Sequence, residues 1–124
     1  MNVKQLKTPK TEYWVELIRH LDDTWRKKKR QDFSYPFMGK DFADLKHFAR
    51  IFRPWGLMAL WDDYLDQDNE FNRRTGFSVF QFTRQLPFLV DGPLWKARAE
   101  MYRKGLMGDL NPEIKVLTDQ VINK

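Results

Sequence analysis

The sequence predicts an all-α fold, a compact bundle of five or six short helices, and three observations lead there. Apolar residues recur at three- and four-residue intervals along most of the chain, the spacing of one helical face. Proline, glycine, serine and aspartate punctuate those runs where helices start and stop. The chain has 124 residues, 42% of them hydrophobic, with ten Phe, five Trp and four Tyr. That is one domain's length with enough large side chains to fill a core.

Residues 1–8 read as a polar arm, and Thr8-Pro9 as a helix start, since proline is tolerated in a first turn. Tyr13, Trp14, Leu17, Ile18, Leu21 and Trp25 form one apolar face, which predicts a helix from about Pro9 to about Lys28. Residues 26–40 are the basic run followed by a loop, broken by Pro36 and Gly39 and anchored by aromatics. Asp41 is expected to cap a second helix by accepting from the Asp44 amide. Phe42, Leu45, Phe48, Ala49 and Phe52 give its buried face. Pro54 ends that helix and opens a third, with Leu57, Met58, Leu60, Trp61, Tyr64 and Leu65 spaced for burial.

Arg73-Arg74-Thr75-Gly76 predicts a turn with Gly76 in the C-cap role. Ser78 is the expected N-cap of a fourth helix carrying Val79, Phe80, Phe82, Leu86 and Leu89. The same stretch, Phe77 to Thr83, also reads as a strand from its β-forming residues. Asp91-Gly92-Pro93 begins a fifth helix through Leu94, Ala97, Met101 and Tyr102, expected to stop at Gly105. Asn111-Pro112 begins a short last one with Ile114, Leu117 and Val121. No repeat or low-complexity tract interrupts the series, so residues 1–124 read as a single helical domain.

Charge is distributed unevenly. The net charge is +5, yet residues 1–30 alone carry nine Lys/Arg against four Asp/Glu, while residues 61–80 carry two against five. A basic start and an acidic middle suit electrostatic steering toward phosphates. The absence of cysteine excludes disulfides, thiolate metal sites and cysteine nucleophiles. MNVKQLKTPK lacks the apolar segment of a signal peptide. The longest apolar stretch, Trp55 to Trp61, falls far short of the roughly 20 residues that span a bilayer. These features predict a cytoplasmic protein without membrane contact.

The densest feature is Arg26-Lys27-Lys28-Lys29-Arg30. Successive helical residues are about 100° apart, so five cations in a row point all round the cylinder. A packed helix would not solvate all of them, and the run is therefore expected to fray into an exposed extension that reaches phosphates. Cations also complement a helix C-terminus, but one or two satisfy that need. Basic residues recur beside aromatics at Arg73, Arg74, Lys96, Arg103 and Lys104, near Phe77, Trp95 and Tyr102. Trp95 falls off the Leu94–Ala97–Met101 stripe, which leaves open an exposed position suited to single-strand binding by stacking plus charge, while core filling is the stronger expectation for most of these aromatics.

The acidic stretch Asp62, Asp63, Asp66, Asp68 and Glu70 offers an alternative, partner-binding surface for a basic protein or for the chain's own basic segment. Its alternation resembles half an EF-hand loop, but Phe71 stands where glycine is required and Phe77 where a bidentate Glu is required. His20 and His47 have no local partner at ligand spacing and read as surface or boundary residues. No phosphate loop or nucleophile motif is present. The expectation is a non-enzymatic protein with no cofactor, no metal and no catalytic residues; a small metal-dependent nuclease built from scattered carboxylates is the minor alternative.

Four short segments carry a family resemblance: Phe37-x-Gly39-Lys40-Asp41, Leu45-Lys46, Trp61-x-x-Tyr64 and Gly76-Phe77-Ser78-Val79-x-x-Phe82. With them, residues 35–86 resemble a small helical module of phage and prophage replication proteins, of the replisome-organiser or helicase-loader type. The resemblance implies a role around phage or mobile-element DNA replication and brings no catalytic residues. Such modules commonly follow a helix-turn-helix domain; here a single helix and the basic run precede it. Either that run replaces the DNA-binding domain, or the protein is an adaptor or inhibitor that targets a host nucleic-acid enzyme. The expected partner is nucleic acid, a nucleoprotein complex, or a host or phage replication protein.

Overall fold

Leu17, Leu21 and Trp25, one turn apart, are all buried, and they seat the first helix, α1 (Trp14–Lys29), on the rest of the domain. The structure, a computed structural model, describes residues 13–108. The expected arm, the helix start at Thr8-Pro9 and the last helix from Asn111 lie outside the described residues. Within them are five helices and no strand: α1, α2 (Gly39–Asp66), α3 (Glu70–Arg74), α4 (Val79–Leu89) and α5 (Trp95–Gly108). The all-α prediction holds. α1 begins later than expected, because Tyr13 has a non-helical backbone (φ −104°, ψ 17°).

α2 is the axis of the domain, and α1, α4 and α5 each pack against it. It begins at Gly39 rather than after Asp41. The Asp41 carboxylate sits inside the first turn and accepts from the Met38 amide at 3.0 Å, instead of serving the Asp44 amide. A carboxylate three residues in satisfies a helix start as well as one at the cap, and the macrodipole favours it there. Pro54 breaks the helix as expected: Arg53 takes φ 70°, ψ 157°, and the second half departs at a kink. That second half is buried nearly all round, with Leu57, Ala59, Leu60, Trp61 and Tyr64 fully inaccessible. Gly56 permits a close approach, since a Cβ there would lie 3.3 Å from the Phe52 Cβ and 3.6 Å from the Trp95 ring.

The connection from α2 to α4 is organised by Asn72, fully buried on α3. Its amide donates to Gln67 O (2.7 Å), and its oxygen accepts from Gln85 on α4 (3.0 Å). Gly76 (φ 73°) and Phe77 (φ 52°) then turn the chain through two left-handed residues. Ser78 caps α4 by accepting from the Gln81 amide at 3.2 Å, which resolves the helix-or-strand ambiguity at 77–83 in favour of helix. Hydroxyl and carbonyl caps at this turn tie distant parts together: Tyr64 donates to Ser78 O, and the Val79 amide donates to the Tyr35 hydroxyl at 2.8 Å.

α5 corrects two expectations. It continues through Gly105, where a side chain would meet open space, to Gly108. Its inward face is also not the Leu94–Ala97–Met101 stripe, since Leu94 and Met101 are 68% and 73% exposed. Trp95, Ala99, Tyr102 and Leu106 face inward instead. The Trp95 indole donates to Val90 O at 3.1 Å and meets Phe52 edge-on, so it is no exposed stacking platform. Anchoring by two amphipathic rings outweighs the burial of flexible Leu and Met side chains.

Candidate nucleic-acid interface

The C-terminal turns of α1 place the basic run, and they do so without fraying. α1 stays helical through Lys29, and the amides of Arg30 and Gln31 both close onto Arg26 O. This corrects the expected frayed extension, and the reason lies within the helix. Arg26 pairs with Asp23 at 2.7 Å and Asp22 at 3.5 Å, one turn back. Lys29 follows the buried stripe and lays its stem along it, its ammonium 6.0 Å from the centre of the Trp25 ring. Two of the five are thus accommodated locally. Lys27, Lys28 and Arg30 are exposed, and none forms an ion pair among the described residues.

Arg30 holds a left-handed backbone (φ 55°, ψ 47°), the position at a helix end where glycine is favoured. A Cβ in that region is strained by roughly 1–2 kcal/mol. Arg30→Gly is expected to raise the unfolding free energy by about 0.5–1 kcal/mol, part of the relief being offset by glycine's greater unfolded-state freedom. Urea titration checks this, and a loss of stability would contradict the cap geometry.

Beside the run lies an open groove of about 830 Å³. Lys27, Lys28, Lys29 and Arg30 line one wall, Asp62, Asp66 and Asp68 another, with Arg73 and Arg98 completing it. The two charged stretches that look independent in the sequence therefore face a common space. Arg73 is tied to Asp68 at 3.0 Å. Arg98, which stands in the basic and aromatic stretch around Trp95 and Tyr102, reaches Asp63 at 3.4 Å and Asp62 at 3.7 Å. Arg74 is exposed on α3 and takes no part in the lining. Lys96, Arg103 and Lys104 lie on α5 and do not line the groove either. Lys96 sits 6.0 Å over the Trp95 ring, and Arg103 is held by Glu100 and the Met107 sulfur. Arg103 in turn holds the Glu100 carboxyl below its ordinary range.

The acidic residues divide in the same way. Asp62 is largely buried and fully engaged: Oδ1 accepts from His20 Nε2 at 2.8 Å, and Oδ2 accepts from the Tyr102 hydroxyl. His20 is therefore a boundary residue, as expected, and a partner in a clamp joining α1, α2 and α5. Burial and the Asp62 carboxylate push the Tyr102 phenol upward, so it remains a donor. Burial also pushes the Asp63 carboxyl up, with Arg98 pulling it back. Asp66 and Glu70 are exposed without an ion pair among the described residues. His47 is exposed, its ring edge-on to Phe48. No group of three or more His, Asp or Glu among the described residues is arranged to hold a metal ion.

The fold and this surface define the class, an all-α domain carrying a basic helix end over a mixed-charge groove. No family model, curated protein or solved structure matches the chain significantly. No helix among the described residues is long and apolar enough to cross a membrane.

Proposed function

We propose that this protein is a non-enzymatic binding protein that engages nucleic acid through its phosphates, with Lys27, Lys28 and Arg30 as the leading contacts. One observation carries the reading. The domain pairs the groove arginines Arg73 and Arg98, and Arg26 beside them, internally, yet among the described residues it leaves three cations of one helix end exposed and without an ion pair. Arg30 moreover occupies a backbone position that favours glycine. The carboxylates of the groove would repel a phosphate inside it, so contact belongs on the basic rim. The resemblance of residues 35–86 to phage replication modules supports a setting around phage or mobile-element DNA replication. The adaptor reading draws on a smaller surface, because Asp62, Asp63 and Asp68 are committed internally and leave Asp66 and Glu70.

Fluorescence anisotropy with labelled single- and double-stranded oligonucleotides tests the proposal. Wild-type affinity is expected to fall steeply with salt. The triple variant Lys27→Ala, Lys28→Ala, Arg30→Ala should reduce the slope of log affinity against log salt by about 2–3, as three lost phosphate contacts require. Arg30→Gly should bind more weakly while unfolding at higher denaturant. Absence of binding to either nucleic acid at low salt would overturn the reading. In that case a partner protein recovered after nuclease digestion would favour the adaptor.

A further inference from the structure

The outward face of α4 belongs to no packing contact that the core uses. Phe80 (41% exposed), Arg84 and Phe88 (77% exposed) recur there at four-residue steps, with Pro87 beside them. Two cations attend the first ring: the Arg84 guanidinium lies 5.2 Å from its centre and the Lys40 ammonium 5.8 Å. Neither has an ion pair among the described residues, and α4 contains no acidic residue. The helix begins three residues after Gly76, whose carbonyl accepts from the Trp25 indole at 3.0 Å and ties the preceding turn to α1.

We infer that Phe80, Arg84 and Phe88, with Lys40, form a stacking face for unpaired bases of single-stranded nucleic acid. This rests on the phosphate-binding reading above and adds the form of the ligand. Aromatic rings stack on bases of any sequence, and interleaved cations pair with the connecting phosphates. Eight residues separate the rings, about 12 Å along the helix, against a rise of roughly 3.4 Å between stacked bases in a duplex. Bases on both rings must therefore come from a strand that is not stacked on itself. An apolar partner helix fits less well, because it would bury the Arg84 guanidinium between the two rings without a counter-charge.

The test compares a labelled oligothymidylate with a mixed-sequence duplex, using wild type, Phe80→Ala/Phe88→Ala and Phe80→Trp/Phe88→Trp. The alanine pair is expected to weaken oligothymidylate binding by about tenfold or more, with duplex affinity and salt slope unchanged. The tryptophan pair should retain or strengthen single-strand binding. Both positions are exposed, and circular dichroism and melting confirm that each variant is folded. If the wild type binds oligothymidylate and the alanine pair binds it equally, the stacking face is wrong while the phosphate reading stands. Equal losses on single strand and duplex overturn it too, as does a change in oligomeric state by light scattering without a change in affinity. If wild type binds no nucleic acid at low salt, the underlying reading fails and this inference with it.

Discussion

Trp61→Ala is expected to lower the unfolding free energy by about 3–5 kcal/mol, the usual range for removing a fully buried Trp. Trp61 is completely inaccessible in the second half of α2, in edge-on contact with Phe82 (5.1 Å) and Tyr35 (6.5 Å) and tilted against Tyr64 (5.4 Å). Its indole donates to the Thr24 hydroxyl at 2.9 Å, and that hydroxyl donates in turn to His20 O at 2.7 Å. One side chain thus joins α1, α2 and α4. Alanine would open a cavity whose surrounding rings come from three different segments and cannot close on it together. Domains of this size have total stabilities of about 5–15 kcal/mol, so the variant should be near its limit. Urea unfolding followed by circular dichroism measures the effect; a loss below about 1 kcal/mol would contradict the packing. Trp61→Phe should recover most of the stability, since it restores the ring and leaves the hydroxyl its own acceptor.

The second large effect is expected at Asp62. Asp62→Ala should destabilise by about 2–4 kcal/mol, because it leaves His20 and Tyr102 half-buried without their acceptor and removes a counter-charge from Arg98. The three partners come from α1 and α5, so the variant should loosen both helices from α2 together. A double-mutant cycle is the sharper measurement. His20 and Tyr102 share a carboxylate and their rings meet edge-on at 5.0 Å, so the effects of His20→Ala and Tyr102→Phe should be non-additive by at least about 0.5 kcal/mol. Strict additivity would mean that Asp62 does not act as the common point. If the exposed cations bind phosphates as proposed, neither change should alter the salt slope of nucleic-acid binding.

Local devices were readable along the chain. The α1 stripe of Leu17, Leu21 and Trp25, the break at Pro54 and the Ser78 cap each depend on residues within one or two turns. The disposition of the basic run also had a local signal that geometry alone did not bring out. Asp22 and Asp23 stand one turn before Arg26, and Trp25 one turn before Lys29, so an intact helix already contains what holds two of the five cations. What could not be read locally was the orientation of α5. Its pattern of Leu94, Ala97 and Met101 is as regular as the face actually used. The choice fell to Trp95 and Tyr102, whose partners Phe52 and Asp62 lie on another helix.

The sequence by itself determined that the protein is helical, that Pro54 breaks one helix and Ser78 caps another, and that positive charge gathers at the end of the first. Those properties follow from short-range sterics, capping and periodicity, which act over a few residues. Tertiary structure decided which charges remain for a ligand. His20 and Asp62 are 42 residues apart, and Tyr102 and Asp62 are 40 apart. Only the packing of α1 and α5 on α2 spends Asp62 on an internal clamp, ties Asp63 to Arg98, and leaves Lys27, Lys28, Arg30 and the α4 face outward. A side chain's availability is set by what fills the space around it, and that space is bounded by segments far apart in the chain.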